Sequence, residues 1–258
     1  MKIEQSFVLY HDKPNSIKYM EECVESCKEY DVPITPFKGF GIDEVSTQLI
    51  LNKWGLRIDP RLDEIKNTET GRLLYQEILC SSGHVAIWKE IAKCDNACAV
   101  FEHDSIVVRN FKNIEVNDRD IVFLGYRMAE KQDYNCVQDS YDRIPINMFG
   151  GTHAYAITPW TAKRMVEIID DMDYVPLEKS VDWWLGHNYF NLNMLVVDPV
   201  PVISVICNRE NTINHMFGNV ANYNMPAIGG MPPKYLKGIV NKEKYFYNQN
   251  NWLCFNPY

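Results

Sequence analysis

"ACAVFEHDSIVV", residues 97–108, runs from apolar residues through Glu102, His103 and Asp104 and back to apolar ones. Carboxylates are rarely buried unless they are paired or bind a metal. A buried strand that ends at once on two carboxylates therefore has the form of a site at the strand's C-terminal end. The plainer reading is a strand running into a solvated loop, because strand ends are commonly polar. Only the rest of the chain separates the two.

Upstream, Phe7 to Tyr10 is a short apolar run followed by His-Asp-Lys-Pro-Asn-Ser, a turn and helix-start signal. Ile17, Met20, Val24 and Cys27 fall on one helical face, and Val32 to Phe37 reads as a second strand. A long helix is expected over Arg72 to Lys93, with Leu74, Ile78, Val85, Trp88 and Ala92 as its stripe. Downstream, Ile121 to Leu124 is a strand candidate, and the polar stretch 130–150 reads as one long loop. Ala154 to Ile157 is a strand, with Thr158 as N-cap and Pro159 at the first position of an amphipathic helix carrying Ala162, Met165, Val166 and Ile169. "SVDWWLGHNYF" is a short helix, and Met194 to Val197 a strand. The alternation predicts an α/β fold with a mixed central sheet flanked by helices, one domain over 1–215. Residues 216–258, rich in Asn, Tyr, Gly and Pro, are expected to form an irregular tail packed on it.

Composition bounds the function. At 258 residues, 46% hydrophobic and 12% aromatic, the chain can bury a sizeable core. A net charge of −8 argues against a nucleic-acid backbone as partner, though an anionic small molecule stays open, since one metal ion reverses the field in a cleft. There is no signal-peptide pattern and no run of 18 apolar residues, so no transmembrane segment and a cytoplasmic location are expected, with peripheral membrane association left open. The eight cysteines include no CxxC pair, and reduced, mostly buried thiols are expected.

P-loop, dinucleotide, HExxH and GxSxG patterns are all absent. A nucleotide diphosphate bound without a glycine loop needs another source of positive charge. A divalent cation held by carboxylates supplies it, since hard oxygen ligands suit Mg²⁺ or Mn²⁺. In an extended segment Glu102 and Asp104 would face one cleft while His103 faces away.

Four stretches in order resemble glycosyltransferase family 25, the group of lipooligosaccharide and procollagen galactosyltransferases. "CSSGHVAIWKEI" is similar to the family's Cys-x-x-Ser-His-x-x-x-Trp helix at Cys80, His84 and Trp88. "AVFEHD" resembles its Leu-Glu-Asp-Asp strand end at Glu102 and Asp104, and "GGTHAYAIT" its Gly-Thr-His-Ala-Tyr strand at Gly151 to Tyr155. "VDWWL" places Asp182 where the family has an aspartate. The resemblance covers roughly residues 5 to 215. It departs from the family at Gly83, which stands for Ser, at His103, which stands for Asp, and along the opening strand near Tyr10.

The resemblance implies a GT-A-type fold and a metal-dependent, inverting transfer of a sugar, galactose first among candidates, from a UDP-sugar to a glycan or other hydroxyl acceptor. It nominates His84, Glu102, Asp104, Thr152 and His153 for donor binding, and Tyr10, on the opening strand that departs from the pattern, is a further candidate. Asp104 and Glu102, with His215 from the tail, are the candidate ligands of Mn²⁺ or Mg²⁺, and Asp182 is the candidate general base. The plainer readings are a core histidine for His84, core aromatics for Trp183 and Trp184, and an N-cap for Asp182, although Ser180 is an alternative cap. At the level of function, the alternatives are a non-catalytic nucleotide-sugar or glycan-binding relative and a phosphoester hydrolase.

Overall fold

Side chains along β3 (Ala97–Glu102) alternate between two cores, and this alternation organises the molecule. Cys98 and Val100 face one core; Ala97, Ala99 and Phe101 face the other. The same period splits β1 (Ile3–Tyr10), with Phe7 and Leu9 against Ile3 and Val8, and β7 (Ala154–Ile157), with Tyr155 and Ile157 against Ala154 and Ala156. The computed structural model describes residues 1–40, 52, 54–57, 61, 68–107, 109–125, 142–145, 152–172, 180–186, 188–198 and 201–204.

The remaining strands are β2 (Ile34–Lys38), β4 (Ser105–Val107), β5 (Asp120–Phe123), β6 (Asp142–Pro145), β8 (Asn193–Asp198) and β9 (Val202–Ser204). Seven of the nine form one sheet in the order β2-β1-β3-β7-β5-β8-β6, and β4 and β9 form a separate antiparallel ribbon. β1 runs parallel to both β2 and β3, and β5 parallel to β8, whereas β7 is antiparallel to β3 and β5, and β6 to β8. This is the expected mixed α/β sheet. Helices α2 (Glu69–Ile91), α3 (Pro159–Asp170) and α4 (Val181–Gly186) cover the Val100 face, through residues such as Trp88, Met165 and Trp184. Helix α1 (Pro14–Glu29) and the ribbon cover the Phe101 face, through Cys23, Cys27, Val107 and Val202.

Several elements differ from the expectation. β1 starts at Ile3 rather than Phe7, because its polar Gln5 and buried Ser6 conceal the strand in sequence. The face that α1 buries carries Ser16, Cys23, Ser26 and Cys27, with Ile17, Met20 and Val24 only half-buried. Its serines are satisfied locally: Ser16 Oγ accepts from His11 N at 3.0 Å, and Ser26 Oγ donates to Cys23 O at 2.7 Å and accepts from Val107 N at 3.0 Å. Small hydroxyl residues let the helix approach the ribbon closely, which an apolar-only periodicity misses. The stretch expected as one long loop contains β6, a four-residue edge strand on β8 whose Pro145 suits an edge. The rest of 130–150 and the expected tail, 216–258, lie outside the described residues.

Thr158 caps α3 as expected, accepting from Thr161 N at 3.2 Å with Pro159 in the first turn. Gly83 has a packing reason: a Cβ there would come within 2.8 Å of Leu9 Cδ1, so the glycine lets α2 lie close on β1. Cys23, Cys27, Cys80, Cys94 and Cys98 are free thiols. Among the described residues no helix is long and apolar enough to cross a membrane.

Where β1 leads into α1, His11 Nδ1 accepts from Lys13 N at 3.2 Å, and the ring lies edge-on to His103 at 5.6 Å. Burial, then the neighbouring His103 and Lys13, lower the His11 pKa from 6.5 to about 4. The fold thus favours neutral His11, and the unfolded chain binds more protons between those values. Stability from this group is complete above pH 6.5 and falls away as the pH drops to about 4. Urea titrations at pH 7.5 and 5 should show His11→Gln losing less stability on acidification than the wild type. Equal losses would contradict the assignment.

Candidate functional site

The strand directions gather one set of residues at one edge of the sheet. β1, β3, β5 and β8 all end there, and the antiparallel β7 begins there. Leu9 pairs with Glu102, so half-buried Tyr10 lies one residue beyond, at the same edge. Glu102 N donates to His153 O at 2.9 Å, which sets Thr152 and His153 beside the end of β3. By the period-two rule Glu102 follows Cys98 and Val100 to the α2 face, and there it meets His84.

A buried polar network holds that meeting. Trp88 Nε1 donates to Tyr155 Oη at 2.7 Å, and Tyr155 Oη lies 2.8 Å from His84 Nδ1. Burial raises the Tyr155 pKa well above the ordinary phenol value, so the hydroxyl keeps its proton. Trp88 can only donate, so Tyr155 Oη accepts from it; when the hydroxyl gives its own proton to His84 Nδ1, the imidazole proton lies on Nε2. That nitrogen faces Glu102 Oε1 at 3.4 Å, a long and weak hydrogen-bonding contact. Thr152 Oγ1 meets the same Glu102 oxygen and lies 2.9 Å from Asp182 Oδ1. A hydroxyl has one proton, so Thr152 donates to one carboxylate at a time. Burial alone would raise the Glu102 pKa, but the hydrogen bond and charge of His84, then Thr152 and His153, overcome it and hold the carboxyl well below its ordinary range.

Further carboxylates crowd the same space. The Cys80 thiol is pushed well above its ordinary pKa, first by burial and then by the charges of Glu102, Asp182, Asp104 and Glu77. Glu77 is itself raised, by burial and then by Asp182. Four carboxylates acting on one thiol make a strongly negative cleft. Such a donor set fits a divalent cation, which neutralises the charge. Cys80, His84 and Glu102 form a possible metal-binding cluster among the described residues, their ligand atoms all within 4.8 Å of one another.

The expected site residues divide as follows. His84, Glu102, Thr152 and Asp182 are joined in a chain of contacts in that order, while Asp104 lies close enough for its charge to act on Cys80. Asp104 is half-buried in a turn and not in an extended segment, because β3 stops at Glu102 and His103 and Asp104 reverse the chain into β4. His103 turns toward α1, stacking on Tyr19 at 6.1 Å. His153 is buried by its backbone role: its carbonyl also accepts from Ser105 Oγ, and its ring fills the place of a side chain at Gly125, where a Cβ would overlap the imidazole. Asp182 is exposed in the first turn of α4 and is not the cap, since Ser180 Oγ accepts from Trp183 N at 3.4 Å. α4 lays Asp182 over Thr152, one hydroxyl away from Glu102. Trp184 is core, and Trp183 packs against Tyr189 at 6.3 Å. His215 lies outside the described residues.

Glu77 escaped the sequence reading, and Cys80 and Tyr155 were noted only as motif letters. The signal was available for the helix. Glu77, Cys80, His84 and Trp88 are spaced three, four and four residues apart, the pattern of one helical face.

No protein-family model and no curated protein matches the chain. Among solved structures, the chain is similar to a glycosyltransferase involved in the glycosylation of the major capsid of PBCV-1, at 11% identity and a TM-score of 0.36, over 75% of this chain and 81% of that one. It is also similar to the nucleoside-diphosphate-sugar pyrophosphorylase from Vibrio cholerae RC9, at 11% identity and a TM-score of 0.29, over 77% of this chain and 94% of that one. Likenesses this distant carry no assignment, so the functional reading stands on the site.

Replacing Tyr155 by Phe removes the oxygen that Trp88 Nε1 and His84 Nδ1 share, leaving both buried without it. Each unsatisfied group costs about 1–3 kcal/mol. Urea denaturation should show Tyr155→Phe destabilised by more than about 1 kcal/mol. A change under about half that would mean the network is not made in solution.

Proposed function

We propose that the chain is a metal-dependent, inverting glycosyltransferase of GT-A type, related to family 25. It moves a sugar, galactose first among candidates, from a UDP-sugar to a glycan or other hydroxyl acceptor. The observation that carries this reading is the cluster at the C-terminal end of β3, where Glu102 and Asp182 share the Thr152 hydroxyl and the charges of Asp104 and Glu77 also reach Cys80. In open α/β sheets ligands bind outside the carboxyl ends of the strands. A cleft this acidic repels a bare diphosphate, so a nucleotide-sugar reading requires a cation.

Asp104 and Glu102 are the proposed holders of Mn²⁺ or Mg²⁺, with His215 the third candidate ligand from the sequence. When bound, that ion offsets the charge that develops on the departing nucleotide. The chain's own residues do the rest. Glu102 is oriented by His84 and Thr152, so its carboxylate is fixed before substrate arrives. Asp182 is exposed where Glu102 turns inward, so an acceptor hydroxyl can approach it from solvent and give up its proton to Oδ1 or Oδ2. The Thr152 hydroxyl, shared between Asp182 and Glu102, links the two carboxylates. Tyr10 and His153, at the same edge, are the proposed flanking donor contacts.

Incubation with Mn²⁺ and a panel of nucleotide sugars tests the proposal by nucleotide release. A transferase releases UDP, faster with acceptor. A binding relative shifts its melting temperature without release, and a hydrolase prefers simple phosphoesters. Asp104→Asn should abolish turnover and leave the folded far-ultraviolet spectrum unchanged. Asp182→Asn should lower kcat by about 10²–10⁴ while keeping donor affinity, the usual loss of a general base. Undiminished turnover in EDTA, or in Asp104→Asn, would contradict the metal role. Loss of donor binding in Asp182→Asn would contradict the base role.

A further inference from the structure

The cluster of Cys80, His84 and Glu102 has features that neither a solvated carboxylate cleft nor a packed core accounts for. Cys80 and His84 are four residues apart on α2, so both project from one helical face. Glu102 reaches the same point from β3, and the three ligand atoms lie within 4.8 Å of one another. His84 is fully buried, and the partner of its Nε2 is Glu102 Oε1 at a long 3.4 Å. A buried ring nitrogen with so weak a partner is under-satisfied, and once its proton leaves, its lone pair can take an ion. The other ring nitrogen is held by Tyr155, the outer hydrogen bond that orients ligating histidines. Glu102 contributes Oε1 to this point, where Thr152 Oγ1 also meets it.

We propose that Cys80, His84 and Glu102 bind a thiolate-accepting transition metal ion such as Zn²⁺, Co²⁺ or Fe²⁺. A ligand set of sulfur, imidazole and one carboxylate suits these ions and not Mg²⁺, which demands oxygen. Three protein ligands leave a fourth position open on the cleft side, where Cys80 and Glu102 are partly exposed. The surrounding carboxylates of Glu77, Asp104 and Asp182 favour any cation placed there. On binding, the Cys80 thiol releases its proton to solvent and the sulfur–metal bond forms. His84 loses its Nε2 proton to solvent and takes one up from solvent at Nδ1, so the ring binds as the neutral Nδ1–H tautomer. Tyr155 Oη has two lone pairs and accepts from both Nδ1 and Trp88 Nε1.

The proposal does not rest on sugar transfer, and its test uses no nucleotide sugar. The full-length reduced protein is titrated with Co²⁺ and followed by absorption, with Mg²⁺ and Zn²⁺ as competitors. The expected result is a thiolate-to-cobalt charge-transfer band that Zn²⁺ abolishes and excess Mg²⁺ leaves in place. Cys80→Ser should remove the band, Cys94→Ser should retain it, and His84→Gln should weaken Co²⁺ binding by more than about tenfold, since even outer partners of a metal site are worth 10–100-fold. Nitrogen-15 NMR of the wild type with Zn²⁺ should show His84 bound through Nε2, a reading independent of whether the variants fold. Co²⁺ binding without the band, a band that survives Cys80→Ser, unchanged affinity in His84→Gln, or no binding at all would each overturn the proposal.

Discussion

The carboxylate of Glu102 is the constraint on which the site depends. It sits at the end of a strand whose preceding residues are fully buried, and strand periodicity turns it toward α2 and not toward solvent. A carboxylate in that position must be satisfied from within the protein. His84 and Thr152 do this, and each is fixed in turn: His84 by Tyr155 and Trp88, Thr152 by its place at the start of β7. Four elements are therefore tied at one point, and the same ties hold the cleft's chemistry in register.

The odd residues of the sequence make sense around that point. Gly83 allows α2 to approach Leu9 of β1, which brings His84 within reach of Glu102. His103 interrupts the acidic pair but serves the opposite face, stacking on Tyr19 and lying against His11. Gly125 leaves room for the His153 ring, whose carbonyl braces both Glu102 and Ser105. Packing thus accounts for Gly83 and His103, and the His103 ring lies toward α1.

The class of fold and most of its strands were legible because apolar runs such as 97–101 and 154–157 are short, continuous and fully buried. The N-terminal half of β1 was hidden by Gln5 and Ser6, the buried face of α1 by its serines, and β6 by being a short, polar edge. For the site, the sequence nominated His84, Glu102, Thr152 and Asp182 as separate motif positions. Their joining at Thr152 depends on β7 running antiparallel beside β3, a tertiary fact with no local signature. The same holds for Glu77, whose significance comes from the charge of Asp182 on a distant helix.

The central claim is that the cleft at the end of β3 binds a nucleotide diphosphate through a cation. It is tested most directly by a crystal structure of the protein grown with Mn²⁺ and UDP, with data collected for anomalous scattering from manganese. The account predicts an anomalous peak within coordination range of Glu102, with the diphosphate beside it at the carboxyl ends of β1 and β3. UDP bound at another surface, or bound in this cleft with no anomalous peak near Glu102, would contradict it.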